Sequence, residues 1–391
     1  MRRVLPQLHG HVDVRNALAR SALRGDLASS LLIHGAPGIG KQRLALWLAQ
    51  LLLCARPTQD GPCDACQHCR LVLRLEHPDL HWFFPLVRPK GASADRLADA
   101  LEEARAEEIE ARREQPLRTP APGEPTGIFL AQVQTLRRLA GARPAMATRK
   151  VFIVGGAEKL VPQESSPEAA NALLKLLEEP PSDTTIILTA SDPEALLPTI
   201  RSRLLPVRLR ALPIDVVAAF LQESIDLPAA DAQFRARIAE GSIGRALGYV
   251  GDDEHPGPLE ELRLQARAAL QAALDDDDAA RLQLALTQAP AGARGAFSDI
   301  LEQLARWIRD LVATASGADD LVVNVDALDW LRAHAHDSLP GRRGALAIAA
   351  IEQAMDLAQG NVNPQLVLAD LLRTLRELLT APARAGRHET V

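Results

Sequence analysis

Hydrophobic positions between residues 30 and 210 alternate between two periods. Short apolar runs bounded by turn formers, Leu31-Leu32-Ile33, Val151-Phe152-Ile153-Val154 and Thr184 to Thr189, predict buried strands. The aromatic stretch His77 to Phe84 and the run Val207-Arg208-Leu209 predict two more. Helical spacing lies between them: over 7–25 through Val12, Leu18 and Leu23 with Gly25 as a stop, up to Leu53, again at Ile128, Val133 and Leu136, and over 171–179 before Pro180-Pro181. Strands alternating with helices predict a parallel α/β sheet. Beyond Pro213 the pattern is helical throughout, over 214–225, 228–239, 242–250, 258–274, 278–288, 293–315, 326–335, 340–358 and 363–380. The punctuation from Gly251 to Pro258 predicts a boundary. The expected organisation is an α/β domain over 1–210, a small helical domain over 211–251, a larger one over 256–382, and a tail over 383–391.

One stretch breaks the alternation. Residues 88–127 turn rich in Ala, Glu and Arg with alternating charge, then in Pro and Gly, and read as an insertion. Two readings stay open for it: a solvated, exposed excursion, or a helix that binds a partner. Composition narrows the class further. Apolar residues at 47% and charged residues at 24% suit a soluble globular chain. The net charge of −6 argues against a protein that holds nucleic acid by itself, because phosphate neutralisation needs a basic surface. No apolar stretch reaches the length of a membrane span, so a cytoplasmic location is expected.

The most informative chemistry lies between Ser29 and Leu53. A strand turns into a helix through Gly35-Ala36-Pro37-Gly38-Ile39-Gly40-Lys41, which leaves backbone N–H groups aimed into one concavity at a helix N-terminus. Gly35, Pro37, Gly38, Gly40 and Lys41 are the candidate nucleotide-binding residues. Gln42, however, stands where a Ser or Thr hydroxyl would hold magnesium. The strand ending at Val154 is followed by Gly155 and Gly156, where a phosphate-loop ATPase needs acidic residues, and Glu158 lies too far along to replace them. Two missing magnesium anchors predict a fold kept without its hydrolysis. The loop then either binds ATP passively or is vestigial.

All four cysteines fall in a C-x8-C-x2-C-x2-C pattern, Cys54, Cys63, Cys66 and Cys69, which matches a tetrahedral structural Zn²⁺ site. The alternatives are an iron–sulfur cluster, although the Cys-Pro that often accompanies one is absent, and unligated or disulfide-bonded cysteines, of which a reducing compartment disfavours the disulfide. His68 and His77 are bystanders beside four thiolates.

The phosphate loop, the four cysteines, Asn171-Ala172-Leu173-Leu174-Lys175 through Glu178-Glu179-Pro180-Pro181, Arg201-Ser202-Arg203 and Asn361 to Leu366 occur here in one order. That ordered set resembles the bacterial DNA polymerase III clamp-loader family. The resemblance implies a RecA-like AAA+ domain with an embedded zinc module over 54–75, a three-helix lid, and a helical collar that holds a five-subunit ring together. It also implies gamma/tau and delta subunits as partners, with the sliding clamp and primed DNA reached through the complex. Within the family the sequence is most similar to the non-hydrolysing stator, for which no independent catalysis is expected within the polymerase holoenzyme. Arg203 matches the arginine offered in trans to ATP on a neighbouring motor subunit, with Arg201 as nearest competitor. Two departures stand out: Leu204 where the family commonly has cysteine, and Gly244 where motor subunits carry an arginine. The rival readings are a motor ATPase with an unusual magnesium site and a zinc finger that binds DNA.

Overall fold

The computed structural model describes residues 5–89, 91, 96–117, 126–160, 168–252, 254–288, 294–359 and 362–380; the expected tail over 383–391 and parts of the 88–127 insertion lie outside them. In chain order the elements are α1 (Val12–Arg24), β1 (Ser30–His34), α2 (Lys41–Leu53), α3 (Gln67–Leu73), β2 (Leu80–Phe83), β3 (Leu86–Val87), α4 (Leu97–Glu114), β4 (Thr126–Gly127), α5 (Leu130–Ala140), β5 (Lys150–Val154), α6 (Glu168–Glu178), β6 (Thr184–Ala190), α7 (Pro198–Arg201) and β7 (Leu205–Arg208). Helices follow: α8 (Ile214–Ile225), α9 (Ala229–Ile238), α10 (Ile243–Gly248), α11 (Pro258–Leu274), α12 (Asp278–Leu286), α13 (Arg294–Ala315), α14 (Leu328–His334), α15 (Arg342–Gln359) and α16 (Pro364–Thr380). One compact unit ends at Leu247 and a second begins at Gly248.

The first unit is built on a five-stranded sheet in the order β2-β5-β6-β1-β7, every pairing parallel. Period-two side chains give it two apolar faces. Leu31, Ile33, Val151, Ile153 and Ile187 pack with α2 on one side, while Leu32, Phe152, Val154, Ile186 and Leu188 pack with α5 and α6 on the other. The central strands are buried along their whole length, which explains their nearly continuous apolar sequence.

Two buried charges set the loop that feeds β5. The Asp79 carboxylate, 1% exposed, accepts N–H bonds from Ala145 (2.6 Å), Met146 (2.8 Å) and Ala147 (2.6 Å). Burial alone would raise its pKa, but the three donors outweigh it and hold the carboxyl below its usual range. Lys150 donates to the Ala140 carbonyl (2.6 Å) and to Ala142 O, satisfying carbonyls at the end of α5.

The 88–127 insertion corrects an expectation. Its described helix α4 is not a solvated excursion: Leu101 is fully buried, and Leu97, Ala104 and Ile109 pack against the core cluster of α2. Arg112 stacks over Trp82 (4.3 Å) and Phe84 (3.9 Å), and Arg105 over Phe83 (4.8 Å). Arg113 Nη2 donates to Leu75 O (2.6 Å). The guanidinium groups of Arg105 and Arg112 thus cover the aromatic side chains of and after β2. The β3–β4 antiparallel pair closes the insertion at its base.

The same unit continues through α8 to α10, with Val217, Phe220, Leu221, Ala232 and Ile238 buried among them. In the second unit, α11, α13, α15 and α16 share one core containing Trp307, Leu304, Ile351, Leu371 and Leu375. Trp307 Nε1 donates to the Arg263 carbonyl (3.0 Å), and the Arg263 guanidinium is paired with Glu260 (2.9 Å) and Asp326 (2.8 Å). A buried cation paired on both sides escapes the penalty of an isolated one.

Asp79→Asn replaces an acceptor for three N–H groups with a side chain that has one acceptor oxygen and an NH₂. It is expected to lower unfolding free energy by about 2–4 kcal/mol in urea denaturation. A change under about 0.5 kcal/mol would show that the carboxylate does not hold the loop.

Candidate functional site: a phosphate loop filled from within

The sequence-predicted cradle is present as a loop between β1 and α2. Gly35, Gly38 and Gly40 all take positive φ, at 145°, 74° and 99°, and Gly40 is the N-cap of α2. Pro37 and Ile39 lie between them, and Ile39 O accepts a hydrogen bond from His11 Nε2 (2.8 Å). Lys41 opens α2 and is only 8% exposed. Its Nζ donates to Gly35 O and Ala36 O, both at 2.7 Å. The ammonium thus turns back on carbonyls of its own loop. Burial lowers its pKa to about 8 against a partial opposing field from Glu158.

Residues at the start of α10 bond to the same loop. Ser242 Oγ donates to Pro37 O (3.0 Å), and Gly244 N donates to Gly38 O (2.9 Å). These contacts need both glycines. A Cβ on Gly38 would stand 2.4 Å from Ser242 Oγ, and one on Gly244 would stand 2.9 Å from Gly38 Cα. The position at which motor subunits carry an arginine is therefore a backbone-to-backbone contact in this chain. Arg245, one residue on, pairs with Glu240 at 3.5 Å.

The two missing magnesium anchors meet each other. A Cβ on Gly155 would lie 2.8 Å from Gln42 Cδ and Nε2, so the Gln42 side chain fills the space that a side chain at 155 would need. Gly156 N donates instead to Thr189 Oγ1 (3.2 Å). Glu158 is held away by Ser191 N, which donates to its Oε1 (3.1 Å).

The four cysteines converge, with all four Sγ atoms within 4.8 Å of one another. Cys63 and Cys69 sulfurs lie 4.0 Å apart and Cys66 and Cys54 sulfurs 3.9 Å apart. Four thiolates at a Zn–S distance of about 2.3 Å on a tetrahedron would sit about 3.8 Å apart, so the donor set fits that ion. Backbone N–H groups of Arg56 and Cys63 point at Cys54 Sγ, each at 3.3 Å, and Cys69 N at Cys66 Sγ (3.4 Å). N–H groups of Ala65 and Cys66 pull the Cys63 thiol down to about 6, whereas burial pushes Cys54 and Cys69 up; a cation would favour the ionised form of all four. His68 and His77 bond to each other (2.8 Å), with Asp79 N donating to His77 Nδ1 (3.1 Å). The latter bond leaves the proton on His77 Nε2, facing His68.

Arg203 stands apart from the loop and its partners. Nη1 donates to Thr199 O (2.7 Å) and Nη2 to Glu178 Oε1 (2.7 Å), with the side chain 35% exposed. Arg201 is committed to Glu194. Sequence reading named neither Ser242 as a partner of the loop nor Glu178 as a partner of Arg203; both lay in motifs already singled out, but their pairings span 205 and 25 residues.

Residues 10–213 match the family described as DNA polymerase III, delta subunit, and residues 261–377 match its C-terminal region. The DNA polymerase III subunit delta' of Escherichia coli is 27% identical over 90% of this chain and 89% of its own. That of Pseudomonas aeruginosa is 33% identical over 51% of this chain and 47% of its own. The DNA polymerase III subunit tau of Salmonella typhimurium is 28% identical over 96% of this chain, which spans about half, 51%, of the tau length. No helix among the described residues is long and apolar enough to cross a membrane.

The buried Lys41 gives the site a pH signature. Its folded pKa of about 8 lies below the ordinary 10.5, so in that interval the unfolded chain binds the extra proton, and stability rises as pH rises through it. Relative to Lys41→Met, the wild-type chain is expected to gain about 2 kcal/mol between roughly pH 8 and 10 in urea denaturation. A pH-independent difference would contradict a buried ammonium.

Proposed function

Because the chain belongs to the DNA polymerase III delta-subunit family, we propose that it is the non-hydrolysing, delta'-type stator of a clamp-loader ring. The observation that carries this reading is the phosphate loop closed by Lys41, Ser242 and Gly244. Triphosphate cleavage in this kind of fold depends on a metal held by a loop hydroxyl and an acidic residue after the neighbouring strand, and here Gln42 packs into the space over Gly155. The same closure supports a vestigial loop over passive ATP binding.

In this reading residues 1–210 form the AAA+ domain, 211–251 the lid and 256–382 the collar of a five-subunit ring with gamma/tau and delta subunits. The ring loads the sliding clamp onto primed DNA. Arg203 reaches across to ATP held by the adjacent motor subunit, where a guanidinium offsets charge that develops on the transferring phosphoryl group. Its side chain is 35% exposed, so part of the guanidinium is open to a neighbouring subunit while Glu178 and Thr199 hold the rest. Cys54, Cys63, Cys66 and Cys69 hold a structural zinc, which would tie α3 to the end of α2. The tau relative lends weight to a motor reading, but the space a magnesium-binding side chain at 155 would need is taken by Gln42.

Arg203→Ala is expected to leave ring assembly intact and to lower the DNA- and clamp-stimulated ATPase of the reconstituted complex by at least about tenfold, in line with arginines supplied across interfaces. An unchanged rate would remove the finger assignment. Elemental analysis is expected to give about one zinc per chain, with chelation unfolding the cysteine module first. Iron with visible absorption would overturn the zinc reading.

A further inference from the structure

The end of α6 breaks a local rule. Glu178 and Glu179 sit at its C-terminus, where the helix dipole presents negative partial charge and disfavours anions, and Pro180-Pro181 then stop the helix. A local choice against the helix calls for a compensating partner elsewhere. That partner is Arg203: its Nη2 donates to Glu178 Oε1 at 2.7 Å, while its Nη1 donates to Thr199 O at 2.7 Å. The two acceptors come from different segments, the end of α6 and the short helix α7. Together they grip both terminal nitrogens of the guanidinium, which fixes the plane of the fork as a single hydrogen bond would not.

Resting on the arginine-finger reading above, we propose that Glu178 is the positioning residue for Arg203. It braces the guanidinium in one orientation so that the remaining N–H groups of the fork are presented across the subunit interface. A long arginine side chain loses rotamer entropy when fixed, and a brace that is present beforehand removes part of that loss from the catalytic step. The pair is half-exposed, at 35% for Arg203 and 46% for Glu178, so its own contribution to folding is small and the effect of removing it falls on presentation.

The test is steady-state ATPase of the reconstituted clamp-loader complex carrying Glu178→Ala, Glu178→Gln, Arg203→Ala or both alanines, with assembly checked by gel filtration. Glu178→Ala is expected to lower kcat about three- to fivefold with KM for ATP unchanged. Glu178→Gln keeps an oxygen that accepts the same N–H and is expected to stay within about twofold of wild type. The double variant is expected to be no slower than Arg203→Ala alone, because Glu178 acts through that residue. Should Glu178→Ala fail to assemble, Glu178→Ser, which also lacks the reach to the guanidinium, takes its place. A rate unchanged or raised in Glu178→Ala, a Gln variant as slow as the Ala variant, or additive losses in the double variant would overturn the assignment. If Arg203→Ala itself leaves the rate unchanged, the finger reading fails; if it lowers the rate and Glu178→Ala does not, only the brace fails.

Discussion

The hydrogen bond from Gly244 N to Gly38 O is possible only because two glycines lie face to face, the first turn of a lid helix against the crown of the phosphate loop. Ser242 Oγ on Pro37 O makes a second link beside it. Neither link is strong alone, since an intramolecular hydrogen bond contributes about 1 kcal/mol net. Their effect is collective. The carbonyls of Gly35, Ala36, Pro37 and Gly38 are all taken, two by Lys41 and two by the Ser242–Gly244 segment, so the loop is tied down by the chain's own donors.

Two of the departures from a hydrolytic site, Gln42 and Gly155, are linked by packing. The end of the Gln42 side chain occupies the space over Gly155, so a side chain at 155 would have to displace it, and a Ser or Thr at 42 would leave that space unfilled. Likewise an arginine at 244 would drive the lid off Gly38. A side chain restored at 155 therefore requires only the end of Gln42 to swing aside, whereas any side chain at 244 meets fixed backbone at Gly38. At the surface, Arg203 follows α7 and donates to Thr199 O and Glu178 Oε1.

Much of this was legible in the residues because its geometry is local. The phosphate loop, the cysteine spacing and the strand–helix alternation each depend on separations of a few residues, and period reports them directly. What escaped was long-range. Nothing in the spacing of Gly241-Ser242-Ile243-Gly244 says which carbonyl it meets 205 residues away, nor that Asp79 collects three N–H groups from residues 145–147. The insertion misled for a different reason. Alternating Glu and Arg look like a solvated helix, yet Arg105 and Arg112 use planar guanidinium groups to cover Phe83, Trp82 and Phe84, so charged residues there do the work of an apolar face.

The central claim is that this chain's own phosphate loop is occupied by its own atoms. Calorimetric titration of the purified chain with ATP and magnesium measures that occupancy directly. A closed loop predicts no saturable heat at ATP concentrations up to the millimolar range. Stoichiometric binding with a micromolar Kd, abolished by Lys41→Ala, would contradict it.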